Sequence, residues 1–157
     1  MSSIRQRKQP PSTCWNIGES GTLLLALQAA HRQVETAFSQ MKDIASEDVP
    51  DLQRFSAARL RIGQANLARR QIVEKVASHL ISVTPADQAE AMREHRRRDQ
   101  SCFHEASTLV REWTLEEVQR NWNGYFAASE IVRERIRAII AAEKALLYPL
   151  LSVGSSK

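Results

Sequence analysis

A single helical pattern sets the architecture of this chain. Residues 22–45 read TLLLALQAAHRQVETAFSQMKDIA. Apolar side chains recur there at steps of three and four residues, and a histidine falls on the same line: Leu24, Leu27, His31, Val34, Phe38 and Met41. That spacing is typical of an α-helix with one buried face. We therefore predict a first helix over residues 22–45 whose buried stripe carries His31.

Three later segments show the same period and predict helices over residues 51–83, 86–113 and 115–150. No segment shows the two-residue alternation of a strand. Because the connections after the second and third helices are short, neighbouring helices are expected to run antiparallel. The predicted fold class is all-α, an up-down-up-down antiparallel four-helix bundle.

The ends of these helices are marked by residues that start or stop a helix. Asp51 can cap the second helix, and Pro85 suits the first turn of the third. Thr114 and Glu117 form a capping box, which predicts a new helix just after residue 113. Pro149 is expected to end the last helix.

Length and composition predict one domain. The chain has 157 residues, 43% of them apolar, with only five glycines and five prolines. We predict a flexible basic tail over residues 1–19, the bundle over 20–151 and a short C-terminal tail over 152–157. No apolar run is long enough for a membrane span or a signal peptide. Two cysteines make no disulfide framework, so a cytoplasmic location is predicted.

The net charge of +4 is spread over several basic runs, among them 69–70 and 96–98. Acidic residues are interleaved with most of these runs. We interpret the runs as solvated outer faces of helices, because a nucleic-acid binder concentrates its basic residues on one surface. A nucleic-acid partner is therefore not favoured.

Ionisable residues fall on the buried stripe of every predicted helix: His31, His79, His95, Asp99 and Glu143. Helix geometry places His31, His79, His95 and Glu143 near one layer of the bundle, and Asp99 lies one turn after His95. Imidazole and carboxylate groups together suit Fe, Zn or Mn. Two interpretations stay open: a metal site, or a buried hydrogen-bond or ion-pair cluster, for example His95 with Glu143.

The layer resembles that of the hemerythrin-like (HHE cation-binding) family across about residues 22–151. The best local match is IIAAEKALLYP at residues 139–149, and a second is HLISVT at residues 79–84. The resemblance implies a non-haem iron centre held by histidines and carboxylates, here His31, His79, His95, Asp99 and Glu143. The chain resembles a degenerate member of the family.

Several family positions are occupied by residues that cannot bind a metal. Ile139 stands where a ligand histidine is expected, and Lys144 replaces an acid. Val83 and Thr84 stand where a bridging carboxylate is expected. The resemblance therefore implies a partial iron site, mononuclear or an incomplete di-iron centre, rather than an oxygen carrier.

Two functions are compatible with these features. The first is a sensor, regulatory or metal-binding module that uses the partial iron site. The second is a metal-free helical bundle that binds a protein partner and holds no cofactor. The sequence contains no nucleophile–base set, phosphate loop or dinucleotide fingerprint, so an enzyme is not predicted unless a redox-active metal is bound.

Overall fold

The computed structural model describes residues 17–153, which form five α-helices and no strand. The helices are α1 (Ile17–Ala45), α2 (Leu52–Ile81), α3 (Ala86–Glu112), α4 (Leu115–Arg120) and α5 (Trp122–Ser152). The all-α prediction is confirmed. Residues 1–16, which include most of the predicted basic tail and Cys14, lie outside the described residues, as do residues 154–157. Within the described part, no helix has the length and apolar character needed to cross a membrane.

Two of the predicted helix starts are confirmed in detail. Asp51 caps α2, because its carboxylate accepts hydrogen bonds from the backbone N–H groups of Gln53 (3.0 Å) and Arg54 (3.1 Å). Thr114 caps α4 by accepting from the Glu117 N–H at 3.3 Å. The first helix starts earlier than predicted, at Ile17 rather than at residue 22.

The prediction of one helix over residues 115–150 was wrong, because the helix is interrupted at Asn121. Asn121 has φ −142° and ψ 71°, which end α4, and its side chain accepts from the Gly124 N–H at 3.0 Å to start α5. A Cβ on Gly124 would lie 2.7 Å from Asn121 Cγ, too close for the cap to persist. The absence of a side chain at position 124 therefore allows this sharp junction.

Pro149 does not end the last helix as predicted. It lies inside α5, which continues to Ser152. A proline disturbs the turn before it, through its missing N–H and its ring, but the Pro149 carbonyl still accepts from the Val153 N–H beyond it.

The apolar core consists of three clusters stacked along the helices. The first contains Leu27, Val76, Leu80, Met92 and Leu147, the second Val34, Phe38, Cys102, Ile136 and Ile140, and the third Met41, Phe55, Val118 and Tyr125. Residues late in α1 therefore share a cluster with residues early in α2 and early in α5.

The helices do not pack equally on all sides. α1 packs closely against α2 and α5, and α5 also packs against α3. The backbones of α2 and α3 do not pack closely against each other. Long side chains span this seam instead, with the Arg70 guanidinium 4.0 Å from the centre of the Phe103 ring. The candidate functional regions are the loosely packed interface of α2 with α3, and the layer of buried ionisable side chains that lies between the first two clusters.

Candidate functional site: a buried arginine–carboxylate–histidine cluster

Arg69 on α2 is the cation at the centre of the polar layer. It shares the buried stripe of α2 with Asn66 and Val76, and only 1% of its surface is exposed. Its Nε donates to Asn66 Oδ1 at 3.0 Å, one terminal nitrogen donates to Asp99 Oδ1 at 2.6 Å, and the other donates to Glu143 Oε1. Each nitrogen of the guanidinium thus has an acceptor, which is what a buried arginine requires.

Glu143 on α5 is fully buried and receives donors on both oxygens. Oε2 accepts from His31 Nε2 at 2.7 Å, while Oε1 accepts from His95 Nε2 at 3.0 Å and from Arg69. Burial by itself would raise the pKa of Glu143. Hydrogen bonds from the two histidines and the charge of Arg69 outweigh burial and lower its pKa from 4.5 to about 2.

The ionised carboxylate determines which ring nitrogens of the histidines carry a proton. A carboxylate only accepts hydrogen bonds, so Nε2 of His31 and Nε2 of His95 must both be protonated. His31 Nδ1 lies 2.6 Å from the Tyr148 hydroxyl. In the neutral ring this nitrogen accepts from Tyr148, so Tyr148 and Glu143 together orient His31.

The arginines and the carboxylates of the cluster are equal in number. Asp99 bridges two arginines, because its Oδ2 accepts from Arg70 Nε at 2.8 Å while its Oδ1 accepts from Arg69. Two guanidinium groups thus face two carboxylates, Asp99 and Glu143. Because charges in a low-dielectric interior are stable only when paired and hydrogen-bonded, this balance explains how so many ionisable groups are tolerated there.

Four of the five predicted metal ligands lie in this cluster: His31, His95, Asp99 and Glu143. His79 does not. Its Nε2 lies 2.9 Å from Ser20 Oγ, and its Nδ1 lies 3.8 Å from Glu19, both near the start of α1. Ile139, where the resemblance predicts a histidine, is buried in the second apolar cluster.

The interpretation of residues 69 and 70 as part of a solvated outer face was wrong. Arg69 lies seven residues before Val76, about two helical turns along the buried stripe of α2, and that spacing was the available signal. The spacing was overlooked because a charged arginine is normally exposed. The run 96–98, by contrast, is exposed as predicted, with ion pairs to acidic residues such as Glu94.

The arrangement of these side chains does not fit the iron that the resemblance implies. Within residues 17–153, no group of three or more His, Cys, Asp or Glu side chains is placed to hold a metal ion. Both histidine Nε2 atoms are directed at Glu143, and the space between the carboxylates contains the Arg69 guanidinium. A protein cation thus stands among the groups that a metal would need.

Comparison with known proteins supplies no relative for this chain. No family model matches it, and no curated protein or solved structure matches it significantly.

Proposed function

We propose that this chain is a metal-free, up-down-up-down four-helix bundle that serves as an interaction module for a protein partner. The observation that carries the metal-free part is the position of Arg69, whose guanidinium contacts both Asp99 and Glu143. A fixed positive charge there competes with any bound cation. The order of the apolar clusters supports the antiparallel arrangement, since late residues of α1 meet early residues of α2 and α5.

The outer face of α1 and α2 is the surface that we assign to a protein partner. A groove of about 660 Å³ runs along it, lined by small and uncharged side chains and by two arginines: Ala29, Arg32, Gln33, Thr36, Ala37, Gln40, Arg61, Gln64, Ala65 and Ala68. None of these ten residues is acidic. Leu25, Leu60 and Leu67, on the exposed sides of the same two helices, leave 68%, 62% and 47% of their surface uncovered.

Arg32 and Arg61 give this groove its charge. Both are exposed, and neither forms an ion pair within residues 17–153, although many other surface arginines of that range do. Small side chains let a second helix approach closely, and Leu25, one turn before Ala29 on α1, supplies apolar contact at the edge of the groove. The occupant we propose is an amphipathic helix of a partner protein with acidic residues beside its apolar stripe.

Metal content tests the first half of the proposal. Protein reconstituted anaerobically with Fe(II) and then desalted is expected to retain far less than one iron per chain by elemental analysis. Stoichiometric iron that disappears in His95→Ala would contradict the proposal and favour the partial iron site, which otherwise stays a prediction from the resemblance.

Selection of helical peptides tests the second half. Peptides selected for binding from a library of acidic amphipathic helices should lose about tenfold or more in affinity for the double variant Arg32→Glu/Arg61→Glu, because two charge contacts become repulsive. Arg97→Glu, on a distant exposed face, is the matched control and should bind normally. Replacing the peptide acids by lysine should restore binding to the double variant. If the selected peptides bind the double variant with the same affinity as the parent chain, the proposed surface is refuted.

A further inference from the structure

We propose that the partly open cavity between α2, α3 and α5 is a binding site for a small apolar carboxylate, such as an aryl-alkanoate. The site lies on the other side of α2 from the α1–α2 groove, and its occupancy is independent of the partner proposed above.

The cavity has a volume of about 340 Å³ and predominantly apolar walls. Its sides are formed by Ile62, Phe103, Leu109, Val132 and Ile136. It exists because α2 and α3 do not pack closely, and because Gly63 contributes no side chain to fill it. A Cβ added to Gly63 would meet no atom within 4 Å. The volume falls in the range of small-ligand pockets.

Arg59 provides a positive charge at one end of the cavity. Its side chain is half-buried and lines the cavity, and it forms no ion pair within residues 17–153. One terminal nitrogen donates to the Trp113 carbonyl at 2.6 Å, and the guanidinium carbon lies 5.2 Å from the centre of the Phe55 ring. These contacts hold the guanidinium in place and leave further donors for a ligand.

Arg133 also lines the cavity, but its charge is already paired with a carboxylate. It pairs with Glu130 at 2.5 Å and donates to Ser129 Oγ at 3.0 Å. The Tyr125 ring lines the same end of the cavity and is buried. Within residues 17–153, Arg59 is therefore the cavity-lining arginine that has no ion pair, and a carboxylate is one of the anions that a guanidinium binds in bidentate geometry.

Asn66 supplies a second polar contact at the other end. It is 94% buried and lines the cavity, and its one side-chain hydrogen bond within residues 17–153 is accepted by Oδ1 from Arg69 Nε. Within residues 17–153 the Asn66 amide nitrogen has no protein acceptor, and it can donate to the π face of an aryl ring at this end of the cavity. Arg69, which holds Oδ1, thereby determines which way the amide faces.

The two polar ends set the length of the ligand. Arg59 and Asn66 are seven residues apart on α2, about 10 Å along the helix axis. A ligand that reaches both must be elongated, with an anionic end at Arg59 and an apolar body along Ile62 and Val132. A sugar or a nucleotide would leave polar groups unpaired against these walls, which the apolar carboxylate avoids.

The test uses 4-phenylbutanoate as the probe, with 4-phenylbutan-1-ol as its uncharged analogue. Titration of ¹⁵N-labelled protein is expected to shift the Asn66 side-chain amide signal, with a Kd of about a millimolar for a molecule of this size. The Kd of the alcohol should be at least about tenfold higher than that of the acid, because the alcohol lacks the charge-assisted contact.

Two variants assign the binding to this cavity. Gly63→Leu should abolish it by filling the cavity, while Gly63→Ala should keep it. Arg59→Gln should remove the preference for the carboxylate over the alcohol. Circular dichroism must show that each variant is folded. The proposal is overturned if the probe causes no shift, if acid and alcohol bind equally, or if folded Gly63→Leu binds as well as the parent chain.

Discussion

The Arg69 guanidinium on α2 and the Glu143 carboxylate on α5 form an ion pair in the interior, where 1% and 0% of the two residues is exposed. The pair links two helices that are not close backbone neighbours. His31 from α1 and His95 from α3 donate to the same carboxylate. Glu143 thus holds side chains of α1, α2 and α3 together on α5.

Removing one partner of this pair should strongly destabilise the protein. Arg69→Met removes the cation that pairs with Glu143 and with Oδ1 of Asp99, whose Oδ2 still accepts from Arg70. We expect the free energy of unfolding to fall by about 3–5 kcal/mol. Urea denaturation measures this loss. In the double variant Arg69→Met/Glu143→Leu, the loss should be smaller than the sum of the two single losses by about 1 kcal/mol or more.

An exposed pair provides the control for this measurement. Arg97 bonds to Glu94 and Glu90 on the surface of α3, and Arg97→Met should change the free energy of unfolding by less than about 1 kcal/mol. If Arg69→Met had an equally small effect, the buried pair would not hold the helices together as described.

Acid should weaken the fold through Glu143. The pKa of this carboxyl is lowered to about 2 from its ordinary 4.5, so its contribution is complete above pH 4.5 and disappears as the pH falls toward 2. The shift corresponds to about 3 kcal/mol. Denaturation curves between pH 7 and pH 2 should therefore converge for the parent chain and Glu143→Gln. A constant difference across that range would contradict the assignment.

Two glycines inside helices should respond oppositely to alanine. At Gly124 a Cβ collides with the Asn121 cap, so Gly124→Ala should lower the free energy of unfolding by about 1 kcal/mol despite the better helix propensity of alanine. At Gly63 a Cβ meets open space, and Gly63→Ala should raise it by about 0.5–1 kcal/mol. Thermal unfolding of the two variants distinguishes them, and a shift of the same sign in both would disprove the cap.

The histidine rings should carry their protons on Nε2. At neutral pH, ¹⁵N chemical shifts of His31 and His95 are expected to show a protonated Nε2 in both rings, because each faces the Glu143 carboxylate. In Tyr148→Phe, the Nδ1 signal of His31 should move, because that nitrogen loses its hydrogen bond, while His95 stays unchanged. An unprotonated Nε2 in either ring would contradict this cluster.

Much of the local structure could be predicted from the chain itself. The three- and four-residue apolar period found α1, α2 and α3, and the capping signals at Asp51 and Thr114 were correct. These features depend on side chains within a few residues of one another. The break at Asn121 was missed because it needs a cap and a glycine together, within a segment whose apolar period continues across it.

The polar layer shows where local reasoning stops. The periodic pattern correctly placed His31, His95, Asp99 and Glu143 on inner faces, and it suggested either a metal site or an ion-pair cluster. It placed Arg69 outside, since an arginine is normally exposed unless acceptors from other helices surround it. Those acceptors are 30 and 74 residues away in the chain, so a buried arginine is stable only because the tertiary fold brings side chains of α3 and α5 to it.

The helical character and the inner face of each helix thus follow from periodicity and capping, which depend only on residues close to one another in the sequence. The partners of Asp99 and Glu143 do not. Which cation meets two carboxylates depends on the distance and orientation between helices, and these are set by the apolar clusters on either side. Tertiary packing alone decided that the cation in this layer is the guanidinium of Arg69.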